Sequence, residues 1–198
     1  MIILTMALWK NKHVWLTLGV VSGVLVLDQL TKWIAKTYLR PRLSIPVIGD
    51  FLRFTYVENP GMAFGIQIGN KVLFNFLSII AVLVIFYYLF KMRDHNFLRL
   101  SFAMILGGAF GNLIDRFLYG RVVDFIDVEF FDISFKGGKF LFFELPAYEM
   151  HRWPVFNVAD MAVSIGMLLI ILATLFERNP EMALAQNAST EDPNIPGT

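Results

Sequence analysis

Among the charged residues in or beside the long apolar runs of this chain, six stand out: Asp28, Lys32, Asp115, Arg116, Asp124 and Asp160. A charge at a bilayer centre costs about 2.5 to 3.5 kcal/mol on insertion scales, so each needs a compensating role. Spacing groups them. Asp28 and Lys32 stand four apart, on one face of a helix, and can pair. Gly108, Asn112 and Asp115 form a second stripe, and Asn157 with Asp160 a third. Asp160 falls near the start of an apolar run, where the positive end of a helix favours an ionised carboxylate. Asp124 lies in Val122-Val123-Asp124-Phe125 and is biased by apolar neighbours towards holding a proton. Two carboxylates in unequal environments, one taking a proton and one supplying it, can activate water without a metal or a covalent intermediate.

Other hydrolytic chemistries lack their residues. The absence of cysteine excludes thiol nucleophiles, disulfide scaffolds and cysteine-based metal sites. His13, His95 and His151 are too far apart in sequence for a local metal pair, and none lies inside an apolar run that could serve a membrane serine protease. The HExxH and GxGD signatures are absent. No metal and no cofactor is expected. The alternative class is a non-enzymatic membrane protein, either a small proton-coupled transporter or a scaffold. Relay carboxylates of a transporter would be spread through the membrane depth, whereas these gather at one end.

The elements that must position these residues follow from composition and periodicity. Of 198 residues 57% are hydrophobic and 17% charged, and the mean hydropathy of +0.60 is that of a membrane protein. A net charge of +1 offers no field for gathering nucleic acid. Four segments approach the roughly 20 residues needed to span: 14–33, 72–90, 98–118 and 155–176. The first lacks a small-x-small cleavage site and reads as a retained helix. The fold class expected is an all-α membrane protein, four transmembrane helices with a small extramembrane β element, forming one domain over residues 1–178. Residues 179–198 read as a disordered tail.

Because the helices alternate in direction, the ends of the first and third and the start of the fourth share a face with loops 34–71 and 119–154. That convergence brings Asp28, Lys32, Asp115, Arg116, Asp124 and Asp160 together whichever way the chain inserts. The first loop should carry a strand over 47–57, broken by Asn59-Pro60-Gly61. The second should carry a Phe-rich surface hairpin turning at Lys136-Gly137-Gly138-Lys139, with Phe130, Phe131, Phe135, Phe140, Phe142 and Phe143 as its rings. Gly107, Gly108 and Gly111, and likewise Gly19 and Gly23, are expected to admit a neighbouring backbone. Glu58, Asp127, Glu129, Asp132, Glu144, Glu149 and His151 read as solvated loop residues. Lys91, Arg93 and Arg99 favour a cytoplasmic loop between the second and third helices. Lys36, Arg40 and Arg42 on the other side nearly balance that bias.

Five motifs in order carry a family resemblance: Asp28-Gln29-Leu30-Thr31-Lys32; Glu58-Asn59-Pro60-Gly61-Met62-Ala63-Phe64-Gly65; the run from Gly107 to Arg116; Val122-Val123-Asp124-Phe125; and Phe156-Asn157-Val158-Ala159-Asp160. Together they resemble lipoprotein signal peptidase, the bacterial signal peptidase II. The resemblance implies an aspartyl endopeptidase of the inner membrane with its site facing the periplasm. Its partners would be membrane lipids and diacylglyceryl-modified prolipoproteins, cut before the lipidated cysteine. By motif position Asp124 and Asp160 match the catalytic dyad. Asn59, Asn112, Arg116 and Asn157 match pocket residues, and Asp28, Lys32 and Asp115 match buried supports. The family's β-cradle would correspond to the strand-like loop, and its short helix to Gly61 onward. One departure is the connection between Asp124 and Asp160, which is longer than the family's usual one by a segment of about 129–152.

Overall fold

A computed structural model describes residues 12–60, 62–63, 66–67, 71–91, 96–130, 132–140, 143–145 and 147–176. The tail at 179–198 lies outside the described residues. Helix α1 (Lys12–Ile34) runs on into a π-helical turn (Ala35–Leu39), followed by β1 (Ser44–Ile48), β2 (Leu52–Asn59), β3 (Met62–Ala63) and β4 (Ile66–Gln67). Helices α2 (Lys71–Lys91) and α3 (Asn96–Tyr119) come next, then β5 (Val122–Val128), β6 (Ile133–Phe135), β7 (Gly138–Phe140), β8 (Phe143–Leu145), β9 (Tyr148–Met150) and α4 (Val158–Phe176).

Three stretches among the described residues are long and apolar enough to cross a membrane: Val14–Leu39, Phe97–Tyr119 and Val158–Leu175. In α2 the apolar stretch, Asn75–Leu89, is shorter. The outer faces of α1, α2 and α4 carry exposed Leu, Val, Ile, Phe and Trp, a distribution suited to lipid rather than water. Helix α3 is the central one and packs against α1, α2 and α4. Its glycines make that possible: a Cβ on Gly108 would collide with the carbonyl oxygen of Ala159, and one on Gly111 with the carboxylate of Asp28. Gly19 and Gly23 differ from expectation, since nothing among the described residues approaches either.

Both long loops meet in one antiparallel sheet of order β1-β2-β5. The strand expected at 47–57 is a hairpin, β1 against β2, turning at Gly49 and Asp50. Gly49 takes φ 50°, a conformation that glycine adopts without the usual Cβ clash. Strand β2 then pairs with β5, placing Val57 opposite Asp124 and Asn59 opposite Val122, after a register shift between Phe54 and Val57. Under the sheet Ala35, Leu39, Val123 and Phe125 form a buried cluster that seats it on the π-helical end of α1. Gly120 (φ 68°) ends α3, its N–H donating to the Arg116 carbonyl at 3.0 Å, and turns the chain directly into β5.

Two expectations are corrected here. No short helix follows Gly61 among the described residues: Met62–Ala63 pairs with Ile66–Gln67 in a minimal ladder. The Lys136-Gly137-Gly138-Lys139 stretch is not the tip of the Phe-rich hairpin. Strand β6 pairs with β9 and β7 with β8 in one continuous register, so the reversal falls between Phe140 and Phe143, and Gly137 (φ 77°) marks a break in the arm. Phe131 and Phe142 lie outside the described residues.

Candidate active site

Helix α4 begins at Val158 rather than at the expected Val155, and the reason builds the site. Phe156 exchanges backbone hydrogen bonds with Ile126, its N–H donating at 3.0 Å and its carbonyl accepting from Ile126 at 2.8 Å. The chain therefore stays extended until Asn157, which caps the helix. Pinning residue 156 to β5 brings Asp160 of α4 beside Asp124 of β5. The sequence separation between them is bridged at the base of the long arm, where Trp153 N–H donates to the Val128 carbonyl at 3.1 Å.

Asn157 is fully buried and touches both carboxylates. Its Nδ2 donates to Asp124 Oδ1 at 2.7 Å, and its backbone N–H donates to Asp160 Oδ2 at 3.2 Å. Asn59, carried in by β2, donates to the other oxygen of Asp124 at 3.0 Å. Asn112, from the middle of α3, donates to Asp160 Oδ1 at 2.7 Å. Every oxygen of the two carboxylates thus meets an N–H. Burial, then the neighbouring charge of Asp160, pushes Asp124 up to about 7, while the bonds from Asn59 and Asn157 and the charge of Lys32 pull the other way. Arg116 lines the same cavity on the α3 side.

Below this pair lies the buried hub. Lys32 Nζ stands 2.8 Å from Asp28 Oδ2 and 3.0 Å from Asp115 Oδ2, with all three side chains at 1% exposure or less. Its third bond goes to Asn112 Oδ1 at 2.8 Å. Removing one partner from such a buried group costs about 3 to 5 kcal/mol, because the remaining charge has no water to turn to.

The cavity has a volume of about 790 Å³. Asn59, Asn112, Arg116, Asp124 and Asp160 form its polar end, and Met161, Ile165 and Met167 of α4 with Phe130 and Trp153 its apolar wall. All nine residues singled out in the sequence converge on this cavity or the hub beneath it. Others were missed. Asp127, taken for a solvated acid, is buried, accepting from Thr55 Oγ1 at 2.6 Å and from Arg152 Nε at 2.8 Å. Glu58 is part-buried and bonded by Tyr56 (2.8 Å) and Arg121 (2.6 Å), which together hold its carboxyl below the usual range. Glu129 pairs with Arg152. Asp132, Glu149 and His151 are exposed, as expected. No local pattern marks Asp127, since β5 carries a second aspartate, Asp124, and is buried along nearly its whole length.

A buried and a half-buried carboxylate joined through asparagines, beside an apolar-walled cavity at the end of membrane-crossing helices, define a membrane protein of the aspartic peptidase class. The comparisons agree with that class. A family model described as signal peptidase (SPase) II matches residues 20–176, and the chain belongs to that family. The lipoprotein signal peptidase of Moorella thermoacetica is 40% identical over 148 residues, covering 74% of this chain and 84% of that protein. That of Desulforapulum autotrophicum is 37% identical over 179 residues, covering 87% and 99%. A solved bacterial membrane enzyme superposes with a TM-score of 0.63 at 29% identity, covering 93% of this chain and 96% of that one. The chain is thus a membrane enzyme, an aspartic endopeptidase of the signal peptidase II type.

Proposed function

We propose that Asp124 and Asp160 are the catalytic pair of a peptidase that removes the signal peptide from diacylglyceryl-modified prolipoproteins, cutting before the lipidated cysteine. The observation that carries this reading is the sharing of Asn157 by both carboxylates at the polar end of an otherwise apolar cavity. Asp160, at the N-terminus of α4 where negative charge is favoured, takes a proton from water as the hydroxyl oxygen attacks the scissile carbonyl carbon. Asp124 gives its proton to the carbonyl oxygen. In the collapse of the tetrahedral species Asp160 passes its proton to the leaving amide nitrogen and Asp124 recovers one from the hydroxyl, so the pair ends as it began. Asn59, Asn112 and Asn157 hold the carboxylates. Arg116 fits the substrate's peptide oxygens, and Asp28, Lys32 and Asp115 support the site from below.

The apolar wall along α4 suits a substrate that carries acyl chains, as the names of the relatives suggest. The enzyme is one integral membrane domain with four spans, α2 being the fourth. It sits in the inner membrane among lipids with the cavity facing the periplasm, and it engages no nucleic acid. The deciding experiment is cleavage of a lipidated precursor peptide by purified Asp124→Asn and Asp160→Asn proteins. Each should be folded and at least about a thousandfold slower, since an amide cannot exchange the required proton. Unchanged cleavage by either would remove that residue from the mechanism.

A further inference from the structure

An ammonium has three hydrogens to donate and accepts nothing. Around Lys32 all three partners are acceptors: Asp28 Oδ2, Asp115 Oδ2 and Asn112 Oδ1. Asn112 is thereby given one sense. With its oxygen turned to the ammonium, its Nδ2 faces Asp160 Oδ1. The same Asn112 oxygen accepts from Asn157 Nδ2 at 3.1 Å, which orients the second amide in turn. Asn157 then points Nδ2 at Asp124 Oδ1 and leaves Oδ1 for the Asp160 N–H at 3.0 Å. The hub also grips both backbones. Asp28 Oδ1 accepts from Ala159 N–H at 2.9 Å, one residue before Asp160. Asp115 Oδ2 accepts from Val123 N–H at 3.4 Å, one residue before Asp124.

We propose that Lys32 is a positioning residue for the catalytic pair, acting through Asn112 and Asn157 to set which face each amide turns to the two aspartates. The inference rests on the function proposed above and adds a role for the buried cation beyond holding the helices together. With Asn112 reversed, its carbonyl oxygen would meet Asp160 Oδ1. Two acceptors in contact are relieved only by a proton between them, and the pair would then have no base. The charged groups facing this relay are Asp28 on α1, Asp115 and Arg116 on α3, Asp124 on β5 and Asp160 on α4.

Lys32→Met alone strands two buried carboxylates, so the decisive protein is the double variant Lys32→Met/Asp115→Asn, with the single variant measured beside it. Maximal rate and half-saturation for a lipidated precursor peptide are followed from about pH 5 to 9. The Lys32 charge is one of the groups that pull Asp124 down, and Asp115 is not among them, so in the double variant the limb of the pH–rate profile that Asp124 sets should move up. The maximal rate at neutral pH should fall by at least about tenfold while half-saturation stays within about twofold. A rate lowered by one factor at every pH, with that limb in place, would show a merely structural lysine and overturn the proposal, as would full activity. Retained activity in Asp124→Asn or Asp160→Asn would instead place the failure in the functional reading itself.

Discussion

Asn157 and Asp160 cap each other. Asn157 Oδ1 accepts the Asp160 N–H at 3.0 Å, and Asp160 Oδ2 accepts the Asn157 N–H at 3.2 Å, a reciprocal box at the start of α4. The carboxylate assigned to water activation is therefore also the one that closes the helix, and chemistry and helix stability can be separated by choice of substitution. Asp160→Asn retains an oxygen acceptor and should unfold close to the parent protein while being inactive. Asp160→Ala loses the acceptor and should be inactive and less stable by about 1 kcal/mol. Thermal unfolding in detergent distinguishes them, and equal midpoints for all three proteins would show that the box contributes nothing.

Asp124 makes stability fall with pH. Its ordinary value is 3.8 and burial beside Asp160 pushes it up to about 7. Between those values the folded protein holds a proton that the unfolded chain releases. Its contribution is fullest at the acid end and is lost as pH rises through about 7. At 1.36 kcal/mol per unit the swing is at most about 4 kcal/mol. Asp124→Asn removes it, so the midpoint difference, variant minus parent, should climb between about pH 4 and pH 8. A flat difference would mean that Asp124 ionises as an ordinary carboxylate.

How far the sequence foretold this site depends on which force placed each part. Asp28 with Lys32, and Asn112 with Asp115, were legible because helical spacing dictates who shares a face. Gly108 and Gly111 were legible as small residues, but that Gly111 admits the carboxylate of Asp28 is a fact of α1 crossing α3, invisible to spacing. Gly19 and Gly23 show the converse: the same pattern with no neighbour among the described residues. The late start of α4 was missed because Val155 and Phe156 are as apolar as the helix that follows. The bridge to Ile126 on β5, a long-range pairing, holds them extended. Asp127 and Arg152 were missed for the same reason. Their bond joins β5 to the far end of the long arm, and no local period reports it.

Sheet β1-β2-β5 joins both loops on one face, so a single labelling experiment tests the orientation of the whole site. Cysteine is absent from the chain, and Asp50 and Lys136 are exposed on the two loops. Single cysteines there should react with an impermeant thiol reagent in intact spheroplasts, as expected for loops outside the cytoplasm. Labelling of both only after lysis would reverse the orientation, and a split result would break the shared face.

The long arm between Asp124 and Asp160 is anchored at its base. Arg152 bonds Asp127 and Glu129 and donates to the Asp50 carbonyl at 3.0 Å, while Phe130 packs edge-on against both Phe51 and Trp153. Phe130 and Trp153 line the cavity, and β6 to β9 extend beyond them. Deleting residues 138–145 removes β7 and β8 but leaves β6 and β9 in register with a short connection and the clamp intact. Because the cost of loop closure changes slowly with length, the shortened protein should fold. With the catalytic pair set by β5 and the start of α4, its maximal rate should stay within about twofold, while half-saturation for a lipidated precursor rises about fivefold or more as the outer contacts disappear. A folded variant that loses maximal rate at unchanged half-saturation would show that the arm shapes the catalytic centre and does not position substrate.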